Sequence, residues 1–326
     1  MPESKRHIIL RDSTLREAMD TPGVWFDMAA RREIAAALER LGVLEVEVVA
    51  PSRVEEDLEV VRALRDAPIG LRLSGLIYAF LPGCRTEVEQ AAGLLDRIDL
   101  LAPLSARREP TSRQGKVSVM LEALSWARQH FPDIGVGFPH SSQTDAELVA
   151  EIAGLATAAG ADRIIFYDTN GSAEPFGVRQ IIGRLVGELG TSVIFHGHND
   201  LGLATANSLA AALAGAAGID VTVNGLGDRA GNASLEQVAV LLGREGFETG
   251  IDLSQLRPVS EMVAEKSGVP VSGLAPVVGD YAFDHKSPSH LAEPAEFEAF
   301  TPDLVGGERR LQKAPAGTFK GDQPED

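Results

Sequence analysis

The segment His-Gly-His-Asn-Asp at residues 196–200 carries the clearest chemical signal in the sequence. It follows a short aliphatic run that is typical of a β-strand, and side chains alternate along a strand, so His196 and His198 should point the same way. Two imidazoles on one face can bind one divalent ion, and with oxygen ligands and open positions they suit Zn, Mn, Fe or Mg. The other explanation is a pair of histidines hydrogen-bonded to neighbouring loops.

Polar residues also stand at the ends of the other predicted strands, where a barrel of parallel strands carries its chemistry. They are Arg16 and Glu17 after the first strand, Glu47 on the second, His140 after the fifth, Thr169 after the sixth and Asn232 beyond the eighth. This concentration of polar types favours a metal-dependent site over purely structural histidines. The Gly-rich segment 224–232, NGLGDRAGN, is either a simple turn or a loop whose backbone amides hold a phosphate.

Short β-branched or aliphatic runs alternate along the chain with longer segments of helical periodicity. This alternation predicts a parallel sheet, and eight repeats favour closure into an α/β fold of the (β/α)8 type, a TIM barrel. The predicted strands span residues 7–11, 44–49, 71–76, 97–101, 134–138, 163–167, 192–196 and 220–223. The predicted helices include residues 27–41, 54–66, 117–130, 145–159 and 204–217, with Asp27 and Thr144 as N-caps.

The repeating pattern ends before residue 249, which places the barrel at 1–248 and a short C-terminal extension at 249–326. The extension contains a predicted helix at 251–266, and its last residues, 315–326, are polar and expected to be loosely held. It is too irregular for a core of its own, so we expect it to pack on its own barrel or on a partner subunit. Within the barrel, Arg31, Arg32 and Arg65 are expected on solvated helix faces.

Composition limits the classes of partner. The chain has 326 residues, 44% of them hydrophobic, and a formal net charge of −17. An acidic surface argues against nucleic acid and anionic membranes as partners. No apolar run is long enough to span a membrane, and the N-terminus lacks the apolar core of a signal peptide. Cys84 is the only cysteine, which excludes intrachain disulfides and thiolate-rich metal sites. We therefore expect a cytoplasmic enzyme.

Four segments resemble the DRE-TIM metallolyase superfamily. They are DSTLREAMDTPGV at 12–24, HGHNDLGLATANSLAAALAGA at 196–216, NGLGDRAGNASLE at 224–236 and FDHKSPSHL at 283–291. They are most similar to its Claisen-condensing branch, the isopropylmalate, homocitrate and citramalate synthases. The segments YDTNGSAEP at 167–175 and TPDLVGGERR at 301–310 also resemble that branch, and all six follow one another in the same order.

The resemblance implies a role for individual residues. Arg16 corresponds to the catalytic arginine, and the metal ligands correspond to Glu17, His196 and His198. Asn232 corresponds to a residue beside or on the metal, and Thr169 corresponds to a residue that contacts the 2-oxo acid. His285 and His290 correspond to a histidine-bearing segment that reaches an active site, often that of the partner subunit. Asp20 and Glu47 are predicted to bind substrate. The length of the chain and its extension suggest a homodimer in which the tail of one subunit crosses to the other.

The activity implied by the resemblance is a condensation. A metal-dependent acyltransferase of this branch joins acetyl-CoA, as co-substrate, to a 2-oxo acid and gives a 2-alkylmalate-type product and CoA. The divalent metal, Zn, Mn or Mg, would polarise the 2-oxo group, Arg16 would stabilise the developing alkoxide, and a general base would remove a proton from the acetyl methyl group.

The sequence departs from the family pattern at three places. Ala18 and Asp20 stand where the family has Gly and Gln, and the aspartate adds negative charge beside the substrate. The fifth strand ends in GFPHSSQTD, without the family's glutamate implicated in proton transfer, so His140 is a candidate replacement. Pro288 replaces a glycine in the post-barrel histidine segment. Substitutions at substrate-facing positions beside an intact metal set predict a specialised substrate.

Three alternatives remain open at this point. The first is a carbon–carbon lyase or aldolase of the same superfamily, although segment 224–232 lacks the cysteine-bearing loop of the acyl-CoA lyases. The second is the same condensation with a donor other than acetyl-CoA. The third is a degenerate, non-catalytic barrel, which the intact Arg16, Glu17, His196 and His198 argue against.

Overall fold

The computed structural model of this protein describes residues 6–51, 53–80, 82–102 and 113–312. Within them, eight parallel strands form a closed barrel whose order around the ring follows the order along the chain. The strands are β1 (Ile9–Asp12), β2 (Glu45–Val49), β3 (Arg72–Tyr78), β4 (Arg97–Leu101), β5 (Ile134–Phe138), β6 (Arg163–Asp168), β7 (Ser192–Gly197) and β8 (Gly218–Val221). The first strand pairs with the last to close the ring. The predicted TIM barrel is therefore confirmed, and the bounds of its strands differ from the predicted ones by two residues or fewer.

A helix follows each strand and covers the barrel. These helices are α1 (Met28–Leu41), α2 (Val54–Arg65), α3 (Cys84–Ala91), α4 (Arg113–Ala127), α5 (Ala146–Ala158), α6 (Pro175–Leu189), α7 (Ala204–Leu213) and α8 (Leu235–Arg244). Asp27 caps α1 as predicted, with its side chain accepting from the backbone N–H of Ala30. The N-cap predicted at Thr144 is wrong, because Asp145 accepts from the N–H of Leu148 at the start of α5. None of the helices in the described residues is long and apolar enough to cross a membrane.

The barrel interior contains an apolar layer just below its carboxyl end. This layer consists of Leu76, Leu101, Ile165, Tyr167 and Ile194. Gly137 on β5 makes room for the largest member, because a Cβ added there would lie 2.5 Å from Cε2 of Tyr167. The strands are buried on both faces, as expected for a parallel sheet covered by helices.

Deeper in the barrel the interior is ionic. The buried guanidinium of Arg11 lies 2.9 Å from Asp99 and 2.9 Å from Asp220, while Arg163 lies 2.9 Å from the other oxygen of Asp99. Unpaired charges here would be very unfavourable, so each charge depends on its partners. This network connects β1, β4, β6 and β8 across the barrel.

One arginine expected in solvent is buried. Arg31 is 3% exposed and lies 2.8 Å from the carboxylate of Asp57, which is fully buried on α2. Its Nε also donates to the carbonyl of Phe26 at 3.0 Å. The prediction of a solvated face is wrong for this residue, since a buried carboxylate needs a cation. Arg32 and Arg65 are exposed, as predicted.

The described part of the extension begins with α9 (Leu256–Ser267), which starts later than the predicted helix at 251–266. This helix packs on its own barrel, where Lys266 forms an ion pair of 2.6 Å with Glu33 of α1. Beyond it, the short strands Asp284–His285 and Arg310–Leu311 pair in parallel. Residues 315–326, predicted to be loosely held, lie outside the described residues. Packing of the extension on a partner subunit stays a prediction.

Candidate metal centre and active site

The three predicted metal ligands meet at the carboxyl end of the barrel. Each of Glu17, His196 and His198 offers a donor atom, and these atoms lie within 4.8 Å of one another. All three residues are buried, and Oε1 of Glu17 is 3.3 Å from Nε2 of His196. Two imidazoles and one carboxylate form a donor set that suits Zn, Mn, Fe or Mg.

A short helical turn, Thr14–Glu17, carries the carboxylate ligand and is fixed to the barrel. Asp12 at the end of β1 accepts hydrogen bonds from both the backbone N–H and the hydroxyl of Thr14, at 2.8 and 3.0 Å. The same hydroxyl accepts from the backbone N–H of Val223, just after β8. The first and the last strand therefore both fix the position of Glu17, at the seam where the barrel closes.

His196 is oriented by its neighbour in the sheet. Its Nδ1 lies 3.0 Å from the carboxylate of Asp220, the residue opposite it on β8. The other ring nitrogen, Nε2, therefore faces Glu17. A carboxylate behind a histidine ligand fixes the ring and its tautomer, an arrangement common around metals in proteins.

Two buried atoms beside the cluster have no hydrogen-bond partner among the described residues. They are Nδ1 of His198 and Oδ1 of Asn232. Asn232 is close to the cluster, since its Nδ2 lies 3.2 Å from Nε2 of His196. Buried polar atoms are rarely left unpaired in folded proteins, and a bound ion would satisfy them. The residues present thus fit a divalent metal.

The electrostatics of the cluster favour one anionic and one neutral ligand. Burial opposes ionisation of Glu17, but the charges of Arg16 and His196 outweigh it and hold its pKa well below the usual value. Burial, together with the nearby charge of His196, lowers the pKa of His198 to about 3 and keeps it neutral. Burial also opposes protonation of His196, but its bonds to Asp220 and Glu17 raise its pKa to about 9. Metal binding would require this proton to leave.

Arg16 lies between the metal cluster and the second strand. Its Nη1 is 2.5 Å from Glu17 and its Nε donates to Glu47 at 2.5 Å, while Nη2 has no hydrogen-bond partner among the described residues. Glu47 is 2% exposed and lies behind the guanidinium rather than on the cavity wall. The structure thus places Glu47 where it orients Arg16, and its predicted contact with substrate stays a prediction.

A cavity of about 880 Å³ opens above this cluster. The sequence-predicted residues on its wall are Arg16, Glu17, Asp20, His140, Thr169, His196 and His198. His140 has a positive φ of 61° and donates its backbone N–H to the hydroxyl of Thr169 at 2.9 Å. Asp20 pairs with Arg53 at 3.2 Å. Most of the predicted site residues therefore share one cavity.

The two histidines of the extension do not line this cavity in the same chain. Nδ1 of His285 lies 3.2 Å from Nδ1 of His290, and its Nε2 lies 3.1 Å from Glu298. Arg309 also pairs with Glu298, at 2.6 Å. The structure describes a single chain, so the predicted action of these histidines on a partner subunit's site stays a prediction.

Two further residues of this site, Asp220 and Tyr167, were not predicted from the sequence. Asp220 was assigned only to a strand, although its position opposite His196 in the parallel register brings their side chains together. Tyr167 was also missed, although alternation places it on the same side of β6 as Thr169. Its ring centroid lies 4.7 Å from that of His196. Register and alternation were the signals that could have identified both.

A family model described as HMGL-like matches residues 7–263. The chain belongs to this HMGL-like, or DRE-TIM, family. It is 35% identical over 313 residues to homocitrate synthase 1 of Nostoc sp., covering 93% of this chain and 82% of that protein. It is 34% identical over 314 residues to 2-isopropylmalate synthase 2 of Caldanaerobacter subterraneus, covering 93% and 81%.

A third relative of this HMGL-like protein is the 2-phosphonomethylmalate synthase of Streptomyces rubellomurinus, 33% identical over 316 residues and covering 94% of this chain and 84% of that one. Among solved structures, the HMG-CoA lyase of Bacillus subtilis is similar, with a TM-score of 0.71 at 19% identity. That match covers 83% of this chain and 97% of the lyase. At such identity the likeness shows the fold, whereas the three relatives described above are named synthases.

Proposed function

We propose that this protein is a metal-dependent acyltransferase that condenses acetyl-CoA with a 2-oxo acid and releases CoA and a 2-alkylmalate-type product. The observation that carries the proposal is the buried cluster of Glu17, His196 and His198 beside Arg16 at the floor of one cavity. Relatives named homocitrate, isopropylmalate and phosphonomethylmalate synthases support the same type of reaction.

Different residues would bind the metal, stabilise the alkoxide and bind the carboxylate of the substrate. Glu17, His196 and His198 would hold the metal, which when bound supplies a Lewis acid for the 2-oxo group. The Nη2 group of Arg16 has no partner in the described structure and is available to stabilise the alkoxide that forms from the carbonyl oxygen. Thr169 accepts a hydrogen bond from His140, so its own proton can be donated to the carboxylate of the 2-oxo acid.

His140 is the candidate general base within the chain. Its Nδ1 lies 3.0 Å from Oδ1 of Asn170, an acceptor, so Nδ1 carries the proton and Nε2 is the basic nitrogen. In the proposed step this nitrogen takes a proton from the methyl group of acetyl-CoA. The resulting enolate carbon bonds to the ketone carbon of the 2-oxo acid, and water then hydrolyses the thioester and releases CoA.

The substrate is proposed to be a specialised 2-oxo acid rather than a common one. Asp20 lies on the cavity wall, where burial and the charge of Glu17 raise its pKa although Arg53 pairs with it. Its position and the altered end of β5 change the surroundings of the substrate but leave the metal ligands intact. Activity confined to 2-oxoisovalerate would contradict this part of the proposal.

The first experiment is mass spectrometry of the products that the metal-reconstituted enzyme makes from acetyl-CoA and a pool of 2-oxo acids. The expected result is a new mass equal to one 2-oxo acid plus acetic acid, that is, the acetyl unit and the water that hydrolyses the thioester, together with free CoA. If metal is bound but neither product nor CoA forms, the condensation is excluded. The enzyme should then be given 2-alkylmalates and 4-hydroxy-2-oxo acids to test the cleavage alternative, which the lyase-like fold keeps open.

We further propose that the protein is a homodimer in which His285 and His290 of one subunit act at the other subunit's site. Complementation tests this proposal. Arg16→Ala and His285→Ala should each be nearly inactive alone, whereas refolded mixtures should regain activity, because each heterodimer has one complete site. Mixtures that stay inactive although light scattering shows dimers would contradict the exchange of histidines between subunits.

A further inference from the structure

The cavity has two walls of opposite character. Its catalytic wall is built from residues after β1 and on β7, which carry Glu17, His196 and His198. In a ring of eight strands, β3 and β4 lie across the barrel from β7 and β8. The wall that β3, β4 and α4 provide is therefore the one that faces the metal cluster.

This opposite wall is largely apolar. Its members are Leu76, Tyr78 and Phe80 at the end of β3, Leu101 on β4, and Val119 and Met120 on α4. Leu76 and Leu101 are buried and form the floor together with Tyr167, all three belonging to the apolar layer inside the barrel. Nearer the rim, the rings of Tyr78 and Phe80 pack with centroids 5.2 Å apart.

The cations on the described part of the cavity wall already have partners. Arg16 pairs with Glu17 and Glu47, Arg229 pairs with Asp200 and Asp228, and Lys116 also has an interaction. The same wall carries the carboxylates of Asp20 and Asp228. The hydroxyl of Tyr167 on this wall is buried and has no hydrogen-bond partner among the described residues, but it carries no charge. On the described part of the wall, a second carboxylate of a bound substrate would otherwise meet apolar side chains and like charges, and burial of an unpaired charge is costly.

We propose that the 2-oxo acid carries an uncharged, apolar side chain that lies on Leu76, Leu101 and Tyr167, and that acids with a second carboxylate are poor substrates. This inference rests on the proposed function, because the metal cluster is taken to hold the 2-oxo acid. The acid bound at the cluster lies deepest in the cavity, so its side chain is the group that reaches the buried floor. The polar nucleotide of an acyl-CoA must stay at the open rim.

A matched pair of acids tests the charge preference. In 2-oxoglutarate a carboxylate replaces the terminal methyl group of 2-oxopentanoate, and the chain is otherwise the same. With acetyl-CoA, we expect kcat/KM for 2-oxopentanoate to exceed that for 2-oxoglutarate by at least ~100-fold, since an apolar pocket rejects even an added hydroxyl by about that factor and a buried unpaired charge costs more. An equal or greater value for 2-oxoglutarate overturns the inference.

A matched pair of variants tests the location of the side chain. Leu76 and Leu73 lie on the same strand, and both are 2% exposed, but Leu73 packs in the cluster outside the barrel. Leu76→Ala should shift the kcat/KM ratio toward 2-oxoheptanoate over 2-oxopentanoate by at least ~10-fold, since each methylene in a pocket is worth about that much. Leu73→Ala should leave this ratio unchanged. The assignment would be overturned if the ratio of kcat/KM for 2-oxoheptanoate to that for 2-oxopentanoate were the same in both variants. It would also be overturned if Leu76→Ala changed only the preference for propionyl-CoA over acetyl-CoA and not the preference among 2-oxo acids.

Calorimetry separates the two proposals. Binding of 2-oxopentanoate and 2-oxoglutarate to the metal-loaded enzyme is measured without acyl-CoA, so it needs no turnover. Tighter binding of 2-oxopentanoate without CoA release in the complete assay would leave the inference standing and reject the proposed function. Condensation that is fastest with 2-oxoglutarate would support the proposed function and reject the inference about the side chain. Tighter binding of 2-oxoglutarate would reject that inference even if no product forms.

Discussion

His196 has a defined orientation because its two ring nitrogens face different carboxylates. Asp220 lies 3.0 Å from Nδ1, and Glu17 lies 3.3 Å from Nε2. Asp220 also pairs with Arg11, which in turn pairs with Asp99. Asp220, which is itself held by the buried guanidinium of Arg11, thus aligns a candidate metal ligand, and the ionic interior of the barrel extends to the candidate metal centre.

We expect Asp220→Asn to lower metal affinity by about 10–100-fold, because loss of the carboxylate behind a histidine ligand has that effect in other metal sites. Titration of the purified protein against a fluorescent chelator measures the affinity directly. Asp99→Asn is the matched control, since Asp99 also lies 2.9 Å from Arg11 but belongs to β4, away from His196. Equal losses of affinity in the two variants would point to general destabilisation instead.

Glu47→Gln distinguishes orientation of Arg16 from contact with substrate. If Glu47 orients the guanidinium, kcat should fall on the order of 10–100-fold with KM for the 2-oxo acid little changed, since small displacements of a catalytic group cost this much. Glu45→Gln is the control, because Glu45 is equally buried on β2 but pairs with Arg97 and Arg11. A higher KM at unchanged kcat would instead support the substrate-binding role expected from the sequence.

The metal cluster could be predicted at the level of residues, whereas its supporting contacts could not. The spacing of His196 and His198 alone places both imidazoles on one face of a strand. The partner of Arg31 is different, since nothing local indicates that Asp57 on the next helix is fully buried. Burial of a charged side chain depends on residues distant in sequence, so periodicity along one helix cannot reveal it.

At the level of elements, the strands were easier to predict than some of the helices. Apolar β-branched runs identify all eight strands, and a helix is expected after each of them, but the bounds of α3, α6 and α8 were not predicted. In α6, Pro175 at the start and Gly190 at the end are the usual boundary signals, with Glu174 as the N-cap. Glycines at 177, 183 and 187 interrupt its helical pattern, which explains why periodicity alone did not define its bounds.

Two glycines of α6 should respond to alanine with opposite sign. Gly187 lies inside the helix with open space around its Cβ position, so Gly187→Ala should stabilise the protein by about 0.5–1 kcal/mol. Gly190 also has open space, but its φ of +62° is unfavourable for a side chain, and Gly190→Ala should cost roughly 1–2 kcal/mol. Thermal unfolding of both variants compares the signs, and a stabilising Gly190→Ala would contradict the argument.

For the whole molecule, the ionic interior predicts how stability depends on pH. Burial opposes ionisation of Asp99, but the guanidinium groups of Arg163 and Arg11 outweigh it and hold its pKa below the usual value of 3.8. A carboxyl whose folded pKa is lowered contributes stability above its unfolded pKa and loses that contribution as the pH falls through the folded value.

Wild type should therefore exceed Asp99→Asn in stability by about 3–5 kcal/mol near neutral pH, since removal of one member of a buried ion pair costs that much. The difference should shrink as the pH falls below 3.8. Urea unfolding at a series of pH values measures it, and a difference that stays constant to the acid limit would show that Asp99 does not act through its charge.

The architecture as a whole was predictable because eight repeats allow few arrangements of a parallel sheet. The extension was not predictable, because residues 270–312 lack periodicity and the two short strands that pair there, Asp284–His285 and Arg310–Leu311, are far apart in the sequence. The apolar wall of the cavity was missed for a related reason. Leu76 and Leu101 look like ordinary core residues in the sequence, and only the closed ring shows that they face the metal cluster.

The seam between β1 and β8 has a consequence for synthesis of the protein. Glu17 follows the first strand, whereas His196, His198 and Asn232 come from the last two strands and the loop after them. A nascent chain therefore cannot bring Glu17, His196 and His198 together until β8, which ends at Val221, has left the ribosome and paired with β1. An ion that binds only this closed form favours it by mass action. Metal would thus bind to the newly synthesised chain only once its barrel has closed.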